Sequence, residues 1–175
     1  MKLEEFVKTI LYAYPLLKTV GKDYEEHIRN KALLSYRSGG SAENLAEYLA
    51  EEILCKRRLE WLKEKIDCVL DKLDQVEKTL VKIRYFGLER KIKRPMDHAA
   101  GGEKNRYGEW SESKYFRRQN KLLSKMKGLF VAAGVNEEIF LKEFSILEPF
   151  REIYRFVSDG RDRKISLRER RWLRF

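Results

Sequence analysis

Lys114, Arg117, Arg118, Lys121 and Lys125 recur at the spacing of one helical face. With Lys114 set at zero and about 100° per residue, these cations fall between about −60° and +40°. Tyr115, Phe116, Leu122, Leu123, Met126, Leu129 and Phe130 fall between about 60° and 200° on the same wheel. One helix would thus pack an apolar face into a core and hold a row of cations towards solvent. The chemistry open to such a row is capture of phosphates. Ser111 is a good N-cap, Glu112 complements the positive end of the helix dipole, and Gly128 or Gly134 can end the helix.

Other reactive residue types are sparse. His27 and His98 are the only histidines, and neither sits in a nucleophile motif. The chain reads as a non-enzyme with no catalytic residue, cofactor or metal. Cys55 and Cys68 make no disulfide framework. On one continuous helix they stand about 20 Å apart, far beyond disulfide reach. Glu60, Glu64, Asp67, Asp71 and Asp74 form an acidic row. No His or Cys joins it, and Lys63 and Lys78 are placed to pair with Asp67 and Asp74, so it reads as a solvated face or a docking face for a basic partner. Gly101-Gly102 beside Lys104 follows no strand and lacks a G-x-x-x-x-G-K-[ST] pattern, which argues against a nucleotide site.

The elements that must position the cationic row read as helices throughout. Leu3, Phe6, Val7, Ile10, Leu11 and Tyr14 follow a helical stripe that Pro15 kinks or ends. Asp23 and Glu26 resemble a capping box for a second helix bearing Tyr24, Ile28, Leu33 and Tyr36. Ser38-Gly39-Gly40 breaks it, and Ser41 can cap the next. Cys55, Leu59, Leu62, Ile66, Val69, Leu73, Val76, Leu80 and Ile83 then alternate in steps of four and three. This seam suits a coiled coil or one face of a bundle helix equally. Asp74 and Glu77 form a possible capping box, and a compact domain needs the chain to turn, so we place a break near Leu73 and the seam inside the molecule. Residues 87–109 carry Arg90, Lys91, Lys93, Arg94, Pro95 and Gly108 and read as a basic loop. Asn136 caps a stripe of Ile139, Phe140 and Phe144. Phe150, Ile153, Tyr154 and Val157 form another beyond Pro149, and an arginine-rich tail ends the sequence.

Charge is concentrated where the row lies. The chain has 175 residues, 38 Lys+Arg and 28 Asp+Glu, for a formal net charge of +10. Residues 1–80 carry 14 Lys+Arg against 15 Asp+Glu, whereas residues 81–128 carry 14 against 5. A local field of that sign attracts polyanions. An anionic membrane is the competing partner, but its docking helix would expose the apolar face that a core wants here. No run approaches membrane-spanning length, and Glu4 and Glu5 stand where a signal peptide needs a basic and then apolar stretch, so a cytoplasmic location is expected.

Two stretches resemble a known family. Val69-Leu70-Asp71-Lys72-Leu73-Asp74-Gln75-Val76-Glu77, followed by Leu80-Val81-Lys82-Ile83-Arg84-Tyr85-Phe86, is similar to the opening helix of a sigma-70 region 4 domain. Trp110-Ser111 followed by Tyr115-Phe116-Arg117-Arg118 and Leu122-Leu123 resembles that family's capped recognition helix. The resemblance covers residues 69–129, and sigma-like phage and Gram-positive regulators share the arrangement. It implies a helix-turn-helix whose second helix enters the major groove of double-stranded DNA. Ser113, Lys114, Arg117 and Arg118 would then face the groove, with Lys121 and Lys125 beside the backbone. It also implies RNA polymerase or another protein as a partner of the helical N-terminal region. The family's short L-x-E-I-A helix has no counterpart here. The glycine-bearing loop at 87–109 either hides a degraded form of it or replaces it. Residues 1–65 show no match to the promoter-melting region of a full sigma factor.

The expectation is therefore an all-α multi-helix bundle with a helix-turn-helix-like C-terminal half. Its parts would be an N-terminal helical region at 1–68, a DNA-binding domain at 69–134, and C-terminal helices with a basic tail at 135–175. The expected function is a DNA-binding transcriptional regulator. The alternative is a helical interaction or assembly protein whose seam pairs with another chain.

Overall fold

A computed structural model describes residues 4–38, 42–86 and 112–160 of the chain. The basic loop at 87–109 and the tail beyond 160 lie outside them. Among the described residues all regular structure is helical: α1 (Glu5–Ser38), α2 (Ala42–Asp71), α3 (Gln75–Tyr85), α4 (Glu112–Ala132), α5 (Glu137–Glu143) and α6 (Phe150–Ser158). The all-α expectation holds. No helix among these residues is long and apolar enough to cross a membrane.

The N-terminal reading needs correction. Pro15 does not end its helix, and Asp23 and Glu26 cap nothing, because α1 runs unbroken for 34 residues with Pro15 inside it. Pro15 removes one backbone donor and crowds the preceding turn, a cost of about 3 kcal/mol in a helix interior. Leu11, Tyr12 and Ala13 before it and Leu17 after it are all buried, so both turns are fastened to the same core. Burial there outweighs the local break.

The predicted break near Leu73 is present. Helix α2 stops at Asp71, and α3 starts after an N-cap at Asp74 whose capping box with Glu77 is complete in both directions. Leu59, Leu62, Ile66, Val69 and Leu73 are buried before the turn and Leu80 and Ile83 after it, so this part of the seam faces the core. Val76, the seam position on the first turn of α3, is left exposed.

The core draws on every helix. Phe6 meets Phe140 at 6.2 Å between ring centroids, Phe140 stands edge-on to Phe150 at 5.7 Å, and Trp61 of α2 stacks on Phe144 at 6.2 Å. Asn136 caps α5 by accepting the Ile139 N–H at 2.8 Å, as its position in the sequence suggests. On α6, Phe150, Ile153 and Val157 form the buried stripe.

Candidate nucleic-acid interface

Helix α4 is divided lengthwise. Leu122, Leu123, Met126 and Phe130 are buried, while Arg117, Arg118, Lys121 and Lys125 are exposed on the opposite side. The wheel drawn from sequence assigns these eight side chains to the faces they occupy. Gln119 also lies on the buried face, at 5 % exposure, a polar residue that the apolar stripe does not announce. Ser113 and Lys114 fall in α4, but their side chains, with those of Tyr115 and Phe116, lie outside the described residues.

The C-terminal end of α4 is fixed by its backbone. Gly128 stays inside the helix, and Gly134 ends it with φ +87°. The Val135 N–H donates to the Phe130 carbonyl at 2.9 Å and the Gly134 N–H to the Val131 carbonyl at 3.0 Å. This pair of bonds is the Schellman closure, which requires a left-handed residue at the position Gly134 fills.

The N-terminal end of α3 meets α4 through one carboxylate. Glu77 accepts the Asp74 N–H at 3.0 Å, completing the box in which Asp74 accepts the Glu77 N–H at 2.8 Å. The same carboxylate receives Lys125 Nζ at 2.8 Å on Oε1 and 2.6 Å on Oε2. The Glu77 side chain is 20 % exposed and that of Lys125 44 %. Lys125 is thus tied to α3, a bond between positions 48 residues apart that no local pattern reveals. Neither Arg117 nor Lys121 meets a carboxylate among the described residues.

Beyond the other end of α3 lies a second polar group. Tyr14 Oη donates to Asp67 Oδ1 at 2.5 Å, Lys63 Nζ donates to Asp67 Oδ2 at 2.7 Å, and the Tyr14 ring lies 4.9 Å from that of Phe86. Tyr14, Asp67 and Phe86, with Leu70, Asp71, Lys78 and Lys82, line a recess of about 370 Å³. Burial, together with the bond to the Asp67 carboxylate, pushes the Tyr14 hydroxyl up to about 12. Burial alone would raise Asp67, but its bonds from Lys63 and Tyr14 prevail and hold it below the usual carboxylate range. Of the acidic row, Asp67 pairs with Lys63 as expected. Lys78 lies 3.9 Å from Asp71 rather than pairing with Asp74, which is occupied as the α3 cap. Among the described residues no three His, Cys, Asp or Glu side chains gather as a metal site.

His27 lies 3.2 Å from the Tyr48 hydroxyl, far along α1 from the cationic face, and His98 is outside the described residues. Cys55 is half-buried and Cys68 exposed. Against this geometry, comparisons with protein-family models, curated proteins and solved structures return no match for the chain.

Proposed function

We propose that the chain is a DNA-binding transcriptional regulator of the sigma-region-4-like kind, with α4 as its recognition helix. The observation that carries this reading is the exposed cationic row of Arg117, Arg118 and Lys121 on a helix whose other face is anchored in the core. A side chain that reads a groove must project from a rigid element, and α4 is held by burial from Gln119 to Phe130 and by the Gly134 closure at its end. The excess of cations in residues 81–128 supplies the field that gathers a polyanion.

The helix-turn-helix itself is part of the proposal. On this reading α3 corresponds to the family's opening helix and α4 to its reading helix, while residues 87–109, which lie outside the described residues, either hide a degraded form of the intervening helix or replace it. Arg117 and Arg118, with Ser113 and Lys114, approach base edges. Lys121 and Lys125 approach phosphates.

Gel shift against random and selected duplex DNA at rising salt tests the reading. Arg117, Arg118 and Lys121 each displace counterions from the duplex at about −0.9 per cation and together should give a log–log slope of roughly −3. Lys121→Ala should weaken binding to all sequences alike and flatten the slope by about one unit. Arg118→Ala should cost about 1–3 kcal/mol at a preferred site and relax the preference there. A wild-type chain that binds no duplex at low salt, or folded variants that bind as wild type does, would overturn it.

A further inference from the structure

The two longest helices change character midway. Among the described side chains, the last buried one in α1 is Leu17 and the first in α2 is Leu59. Between them, residues 18–38 and 42–58 form a two-helix arm in which no described side chain is buried. Its inner face is lightly knit. Lys56 meets Glu25 at 3.6 Å, and Lys31 lies 5.2 Å from the centre of the Tyr48 ring.

The arm nevertheless carries large apolar groups. Leu33 is 53 % exposed, Leu34 61 %, Ile53 38 % and Leu54 52 %. On α2 the exposed Ala46, Ala50, Ile53 and Leu54 follow helical spacing down one face towards Trp61 at the margin of the core. Ile28, Leu45 and Leu49 are half-buried but none is fully buried, so a helix pair of this length is weakly held in water.

Charge indicates what covers it. From residue 28 to residue 37, α1 carries Arg29, Lys31 and Arg37 and no acid. From residue 42 to residue 54, α2 carries Glu43, Glu47, Glu51 and Glu52 and no cation. Over these residues, the outer part of the arm, one helix is cationic and the other anionic; nearer the core Asp23, Glu25 and Glu26 on α1 and Lys56, Arg57 and Arg58 on α2 mix the signs. A polyanion or an anionic membrane would be repelled by half of this surface. A second copy related by a two-fold axis meets no such conflict, because each cationic α1 then faces an anionic α2. We propose that the arm is the interface of a homodimer in which two α1–α2 arms pack as a four-helix bundle, with α1 of each copy against α2 of the other. Leu33, Leu34, Ile53 and Leu54 fill its centre.

Sedimentation equilibrium of the full chain tests the interface, and circular dichroism reports whether each variant folds. Wild type should show twice the 21.0 kDa chain mass. L34Q/L54Q should keep its helicity, since both side chains are already exposed, and weaken dimerisation by at least about tenfold. R29E/K31E makes both helices of the arm anionic, and E47K/E51K makes both cationic. Each of these chains should be monomeric alone, and the two should form a heterodimer when mixed. The proposal is overturned if wild type is monomeric at roughly 50 µM, a concentration at which micromolar self-association would be evident. It is equally overturned if L34Q/L54Q dimerises as wild type does, or if the two charge variants fold but do not pair.

Discussion

Residues 59–71 and 42–58 belong to one uninterrupted helix, yet different physics holds each stretch. In the first, Leu59, Leu62, Ile66 and Val69 are buried at intervals of three and four, and each adds desolvated area to the core. In the second, Leu45, Tyr48, Leu49 and Cys55 at similar intervals are only half-buried, while Ile53 and Leu54 stay exposed. The hydrophobic pattern barely changes along α2. What distinguishes them is that α4 and Phe144 lie beside one half of α2. A hydrophobic stripe therefore specifies a face to be covered, and the remainder of the chain decides whether it is covered from within.

Hydrogen exchange gives the sharpest contrast. With the chain diluted to a monomer, amides of residues 59–71 should exchange about three orders of magnitude more slowly than those of residues 42–54, since core amides open only with global unfolding. Equal protection in both stretches would erase the distinction. Next in size is Phe140→Ala. It empties the point where Phe6, Phe144, Phe150 and Tyr154 meet and should cost about 3–5 kcal/mol in urea unfolding. Leu54→Ala in the monomer should cost less than about 0.5 kcal/mol, as surface changes usually do. A comparable loss from both would mean that the arm shares the core's energetics.

A smaller effect is expected at Glu77. Glu77→Ala removes half of a capping box and the anchor of Lys125 and should cost about 1–2 kcal/mol, most of it from the cap and less than about 1 from the half-exposed ion pair. The Lys125→Ala chain separates the two, since it leaves the cap intact. Smallest of all is the pH dependence at Tyr14. Its hydroxyl is raised from 10.0 to about 12, so the protonated form favours the fold. That contribution is complete below pH 10 and is lost as pH rises towards about 12. Partial exposure limits it to less than about 1 kcal/mol. Tyr14→Phe should flatten the alkaline limb of the stability curve. Asp67 acts in the opposite sense, its stabilisation fading as pH falls through its lowered value.

Local chemistry made some elements legible in advance. The Asp74–Glu77 box, the Asn136 cap and the two faces of α4 are set by residues three to eight apart, and sequence spacing reports such relations directly. The choice between Gly128 and Gly134 was open because both suit a helix end, and only the packing of Met126 and Phe130 carries α4 past the first. Pro15 gave a true local signal that the core overrode, and Asp23 caps nothing because α1 runs through it. The Lys125–Glu77 bond and the contact of Tyr14 with Asp67 join positions 48 and 53 residues apart. Nothing local encodes such pairs until the helices are docked.

The Glu77–Lys125 bond bears on how the α4 face would read ionic strength. A cation that enters a DNA groove usually sheds a diffuse cloud of small anions and displaces sodium from the phosphates, and this mixing makes binding salt-sensitive. Lys125 already holds its neutralising anion as a residue of its own chain, one that cannot diffuse away. Turning from Glu77 to a phosphate would exchange one oxygen pair for another and leave a carboxylate seeking sodium. Lys125 could then add geometry to a complex while adding little to its salt dependence. The number of cations touching DNA would exceed the number counted by the slope.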